Sequence, residues 1–145
     1  MSMVDVFRSL GRSDALKLRQ EAYGMTETEI IEREHSAPLF DPEKDYSEWP
    51  VKSPVVDEEQ VWLLLQPYNA KNNSGRPSTL RAIWGLAHTK DPKRAKHWVA
   101  PLGTSGMYMK GEVYKTKDGK VKRAINDNTV MDADSYPNGW EDVNV

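Results

Sequence analysis

One aromatic ring stands among four side-chain amides in "QPYNAKNN", residues 66–73. A flat, stiff, apolar ring can stack on the CH face of a sugar, and amides can bond the sugar's hydroxyls. Gln66, Tyr68, Asn69 and Asn72 are therefore candidate glycan contacts. The plainer account is a long loop whose Asn and Gly residues permit turns. Trp98 and Tyr108 are the other candidate rings. Tyr108 lies between Met107 and Met109, and Met–aromatic clusters usually pack. Trp84 and Trp140 each end a strand-like pattern and are the largest apolar groups nearby, so both are assigned to a core with Val113.

Other chemistry is poorly served. The chain has no cysteine, which removes thiol catalysis, disulfides and thiolate metal sites. His35, His88 and His97 show no i, i+4 pairing, and His88 with Asp91 is too little for a metal. Carboxylate pairs occur at Glu58-Glu59 and Asp132/Asp134, but glycoside hydrolysis needs two carboxylates held across a deep cleft. "GTSG" (103–106) is too short for a phosphate loop and lacks the following lysine. The expectation is a non-enzymatic protein with no catalytic residue, cofactor or metal. The run "KDPKRAK" (90–96) is basic. It reads as a solvated loop or a contact for an anionic partner.

The elements that must position these residues are short. "SDALKLRQEAY" offers Ser13 or Asp14 as an N-cap and places Ala15, Leu18 and Ala22 on one face. Gly24 suits a helix end. Thr26 and Glu29 then have capping-box spacing, and Met25 with Ile30 has hydrophobic-staple spacing. Residues 1–36 thus read as a helical segment with a narrow apolar stripe. Such a stripe packs on another chain or on the rest of this one; the former is favoured, with Val4, Phe7, Leu10, Ala15, Leu18 and Ala22 as candidate contacts. Pro38, Pro42, Pro50 and Pro54 forbid a regular helix, so 37–56 reads as an extended strap. Strand-like runs follow at 61–65 and 80–86. A polar connector with at most one helical turn covers 88–98. A hairpin closes at "TKDG", where Gly119 supplies the positive φ that the turn demands.

Two stretches look related. The strand at 61–65 leads through a polar run to Pro77 and Trp84, and "KVKRAI" leads through "NDNTVMDADS" to Pro137 and Trp140. Trp49-Pro50 precedes the first, and Trp98 with Pro101 the second. A repeat of about 45 residues accounts for this spacing, with a degenerate module at 57–90 and a clearer one at 91–145.

The 145 residues carry 38% hydrophobic and 29% charged side chains at a net charge of -2. A core this poor in aliphatics must be built from rings: five Trp, six Tyr and two Phe. The mixed charge argues against broad nucleic-acid binding, which needs a basic face. No stretch approaches transmembrane length and the N-terminus lacks a signal-peptide core, so neither membrane insertion nor export by the usual route is expected.

The second copy resembles the small chitin- and cellulose-binding modules. The matching residues are Trp98, then Tyr108, Gly111, Glu112, Val113 and Tyr114, then Gly119-Lys120, Asn126, Pro137 and the Trp140–Val143 run. Such modules also occur in small phage proteins behind an N-terminal helix. The resemblance implies an α+β chain: a helical segment, then two small, mostly-β carbohydrate-binding-module-like units. It implies a bacteriophage virion structural protein, a capsid decoration or fibre or a tail accessory, made in the host cytoplasm and placed on the virion surface. Its partners would be other virion proteins, copies of itself (a trimer by analogy) and host cell-wall polysaccharide. Where family members carry an exposed aromatic pair after the second strand, this chain has Ala124-Ile125-Asn126. That departure leaves open a structural clamp that binds no glycan; a cytoplasmic adaptor for a host protein is a further alternative.

Overall fold

The computed structural model describes residues 13–145. Val4, Phe7 and Leu10 lie outside the described residues. The fold is α+β. Helix α1 covers residues 13–21 and α2 covers Glu27–Glu32. The predicted capping box between them is formed: Thr26 Oγ1 accepts from Glu29 N–H at 3.2 Å, and Glu29 Oε1 accepts from Thr26 N–H at 3.1 Å. These bonds satisfy two of the donors that a helix start leaves open. Met25 packs beside Ile30 as the staple spacing requires.

Two antiparallel-rich sheets follow. The first holds β1 (Pro54–Asp57), β2 (Gln60–Leu64) and β3 (Trp84–Leu86) in the order β1-β2-β3. The second holds β4 (Lys96–His97), β5 (Val113–Lys115), β6 (Val121–Ala124) and β7 (Trp140–Val143), in that order. β4 runs parallel to β5, and the remaining pairs are antiparallel. The Asp118-Gly119 hairpin is present, with Gly119 at φ 85°. The helical turn expected in the 88–98 connector is Pro92–Arg94.

β2 is buried on both faces because alternate side chains point to opposite sides of a strand. Trp62 and Leu64 join a core of Tyr46, Val55, Tyr68, Ala70, Trp84 and Leu86. Val61 and Leu63 meet Ala22, Ile30, Ile31 and Ala87 on the other side. In the described residues the inner side of the helical stripe is therefore satisfied within the chain. Leu18 and Ala22, expected to face a partner, are fully buried against this protein's own structure; Ala15 is half-buried.

The strap assignment for 37–56 also needs correction. β1 belongs to the first sheet. Leu39 bridges Val56 in parallel, Asp45 bridges Asn69, and Tyr46 lies in the first core. Proline excludes a helix but not an edge strand or a packed turn, so the first module begins near residue 39.

The internal repeat is present with a different period. Leu64 pairs with Trp84 as Ala124 pairs with Trp140. Lys52 N–H donates to Leu64 O as Gly111 N–H donates to Ala124 O, and Leu64 N–H to Ser53 O as Ala124 N–H to Glu112 O. Lys52 and Gly111 both have positive φ, 77° and 92°. Phe40 stacks on Tyr46 and meets Trp84 edge-on; Trp98 stacks on Tyr108 and meets Trp140 edge-on. Phe40 and Trp98 are 58 positions apart (98 − 40) and Trp84 and Trp140 are 56 apart (140 − 84), not about 45. The counterpart of Trp98 is Phe40 rather than Trp49, a substitution of one ring for another that hides the match.

Candidate functional site

The sequence candidates do not assemble into one surface. Tyr68 is buried in the first core, and its hydroxyl has no hydrogen-bond partner. Tyr108 is 1% exposed, sealed between Trp98, His88 and Trp140. A buried ring offers no face to a sugar, so both are core residues rather than contacts. Gln66 is exposed but donates to Ala82 O at 3.0 Å. Asn69 caps the Ala70–Asn72 turn, with Oδ1 accepting from Lys71 N–H at 3.1 Å. Asn72 ends that turn. The amides whose contacts are resolved thus serve the loop's own backbone. Trp84, Val113 and Trp140 are buried as core residues.

Among the described residues, Trp98 is the candidate ring that lines a groove. A groove of about 800 Å³ is lined by His97 at the end of β4 and Trp98 just after it, by Tyr114, Lys115, Lys117, Lys120 and Lys122 from the β5–β6 hairpin, and by Asp132 and Asp134 from the loop before β7. That volume suits a small ligand. Half-buried Trp98 packs at 5.0 Å on Tyr108 and 5.1 Å from Tyr114, ring centroid to centroid.

The loop bearing the two aspartates is fixed from beneath. Ala133 N–H donates to the Tyr114 hydroxyl at 2.8 Å, Trp140 Nε1–H to Met131 O at 2.8 Å, and Ser135 N–H to Asp132 Oδ1 at 2.9 Å. Burial, with added repulsion from Asp132 and Asp134, pushes the Tyr114 phenol above its ordinary range. It stays neutral and keeps a proton to donate. The half-buried Trp98 ring, with carboxylates and ammonium groups held on anchored elements, can bind a polar ring compound without reorganising.

Among the described residues, the equivalent place in the first module is occupied by buried apolar side chains. At the register position where β6 and β7 carry Lys122 and Asp142, β2 and β3 carry Trp62 and Leu86. Trp62 is 1% exposed and lies under the Arg81 guanidinium, 5.1 Å from its ring centre. Lys122 instead lines the groove, paired with Asp142. Charged residues in one copy keep open what large apolar residues in the other fill.

A second electrostatic feature lies on the seam between the modules. Segment His88–Lys90 is tied to α2, through His88 N–H to Glu27 Oε1 at 2.8 Å and Lys90 N–H to Thr28 Oγ1 at 3.0 Å. It is tied to the second module by Val113 N–H to Thr89 O at 2.9 Å and by His88 Nε2 with Gly106 O at 3.0 Å. Burial lowers the His88 imidazole to about 4. Burial, aided by the charge of Glu27, raises Glu112 to about 7, and Glu27 is itself raised by burial.

The hairpin and loop residues of the groove were missed in the sequence. The sequence reading gives Lys115 and Lys117 no role, and it considers Asp132/Asp134 only as a hydrolytic pair. Tyr114 at an inward position of an alternating strand was the available signal. No protein-family model and no curated protein matches this chain. Among the described residues, no three metal-ligating side chains cluster, and no helix is long and apolar enough to cross a membrane.

Proposed function

We propose that this chain is a non-enzymatic bacteriophage virion structural protein whose second β module touches host-surface glycan weakly, many copies supplying avidity. The Trp98 groove carries the glycan part of the reading, since it joins the half-buried Trp98 ring to carboxylate and ammonium groups on anchored elements. The virion part rests on the sequence likeness, with its order of helix and two modules. Decoration, fibre and tail accessory all fit that order. With Leu18 and Ala22 buried, attachment to other virion proteins, or to further copies in a trimer, falls to the outer side of α1. There Ala15, Leu16 and Leu39 line a groove of about 520 Å³ with Arg19 and Trp49.

The first module, closed by Trp62, serves as the scaffold between helix and glycan-facing unit. The purely structural alternative, a clamp with no ligand, draws on Ile125 and Asn126, which stand where an exposed aromatic pair would bind polysaccharide.

Retention of the purified chain on insoluble chitin, cellulose and bacterial cell wall tests the reading, with light scattering of the same sample. The discriminating variant is Lys122→Trp with Asp142→Leu, which copies the first module's residues into the groove. Saturable retention on one matrix, abolished in this folded double variant, supports glycan binding. Retention that survives the double variant removes the groove from the reading, and no retention on any matrix favours the clamp.

A further inference from the structure

The charges of the groove narrow its ligand, on the reading that the groove takes carbohydrate. Four lysines and three aspartates line it. Two of the lysines have partners on the protein: Lys122 pairs with Asp142, and Lys120 lies 3.9 Å from Asp118. Lys115 and Lys117, both on the hairpin, have no ion pair among the described residues. The same holds for Asp132 and Asp134, both on the loop before β7. The site thus presents two cations from one element and two anions from another, none of them in an ion pair among the described residues, around Trp98 and Tyr114.

A neutral saccharide seated there would strip water from all four charges and return only hydroxyl dipoles. A covered charge without a counter-charge costs free energy. A polyanion would meet the aspartates, and a polycation the lysines. A ligand carrying both signs returns a partner to each set. We propose that the groove recognises an amphoteric saccharide, one that bears an anionic group and a free amine on neighbouring sugar units, in preference to neutral chitin or cellulose.

Titration calorimetry on the full chain tests this with four soluble oligosaccharides of equal length. These are a neutral N-acetylglucosamine oligomer, its deacetylated cationic form, an oligouronate, and an alternating uronate–glucosamine oligomer with free amines. The alternating oligomer is expected to bind at least about tenfold tighter than the neutral one. The advantage should shrink between about 20 mM and about 0.5 M salt, as screening requires. Asp132→Asn with Asp134→Asn should weaken the cationic oligomer and spare the oligouronate, and Lys115→Gln with Lys117→Gln should do the reverse. Asn at 132 keeps an acceptor for Ser135 N–H, so the loop stays folded. Equal or tighter binding of the neutral oligomer, or charge variants without effect, overturns the inference while leaving carbohydrate binding intact. Absence of binding by all four, or binding unchanged in Lys122→Trp with Asp142→Leu, overturns the carbohydrate reading itself.

Discussion

The His88 imidazole lies face to face with the Tyr108 phenol, centroids 3.7 Å apart and planes 24° from parallel. The stack joins the end of the first module to the core of the second. It also explains why His88 is held neutral: the ring is buried against an aromatic face and Arg81 adds a repelling charge, and together these outweigh the Gly106 carbonyl, whose bond with Nε2 favours the charged form.

Opposite pH responses meet at this seam. His88 is lowered from 6.5 to about 4, so its contribution to stability is complete above pH 6.5 and is lost as pH falls toward 4. Glu112 is raised from 4.5 to about 7, so its contribution is complete below pH 4.5 and is lost as pH rises through 7. In the intact chain the two partly cancel between pH 4.5 and 6.5. Relative to it, His88→Phe should gain stability toward acid by on the order of 3 kcal/mol, and Glu112→Gln should gain toward neutral pH. Denaturant melts at pH 4.5, 5.5 and 6.5 decide the matter. Difference curves that slope the same way with pH for both variants would contradict the assignment.

Tyr68 and Tyr108 should separate under loss of the hydroxyl. The buried Tyr68 hydroxyl has no partner, so Tyr68→Phe should be neutral or slightly stabilising. Tyr108 has a backbone hydrogen bond with Val99, so Tyr108→Phe should cost about 1 kcal/mol. Neither change should alter retention on polysaccharide. A loss of retention in Tyr68→Phe with the fold intact would restore Tyr68 as a contact.

Gly111→Ala should destabilise the second module by about 1–2 kcal/mol, the cost of an L side chain in the left-handed region. Its φ is 92°, and an added Cβ would make only ordinary contact with the Lys90 side chain at 3.6 Å. The cost is therefore conformational rather than steric. An unchanged melting temperature would mean that the turn relaxes.

Trp84→Ala should cost about 3–5 kcal/mol, since the ring is fully buried against Phe40 and Tyr46. Gln60 Nε2 donates to His97 O at 3.0 Å, and Lys96 pairs with Glu34. With the His88–Lys90 segment these contacts couple the modules. Calorimetry should thus show one transition, shifted as a unit by Trp84→Ala. Two resolved transitions, only one of them moved, would show the modules to be independent.

Short-range signals were fully legible. Thr26 with Glu29 wrote the capping box, Asp118-Gly119 the hairpin, and Trp84 and Trp140 the two cores, because each depends on residues a few positions apart or on sheer apolar size. The repeat was legible in kind but not in period. The backbone pairing that defines it tolerates Phe40 for Trp98 and Ser53 for Glu112, so side-chain identity misaligned the copies.

What the sequence by itself determined is the α+β order, a core made of rings, and a chain with no cysteine chemistry. Tertiary structure alone decided which rings face outward. Tyr68 and Trp98 are both candidate contact rings by sequence, yet the first closes a core and the second borders a groove. The reason lies in cross-strand pairing: Trp62 beside Leu86 fills the space in one sheet that Lys122 beside Asp142 leaves open in the other. Residues about 20 positions apart make that choice, and no local pattern along the chain records it.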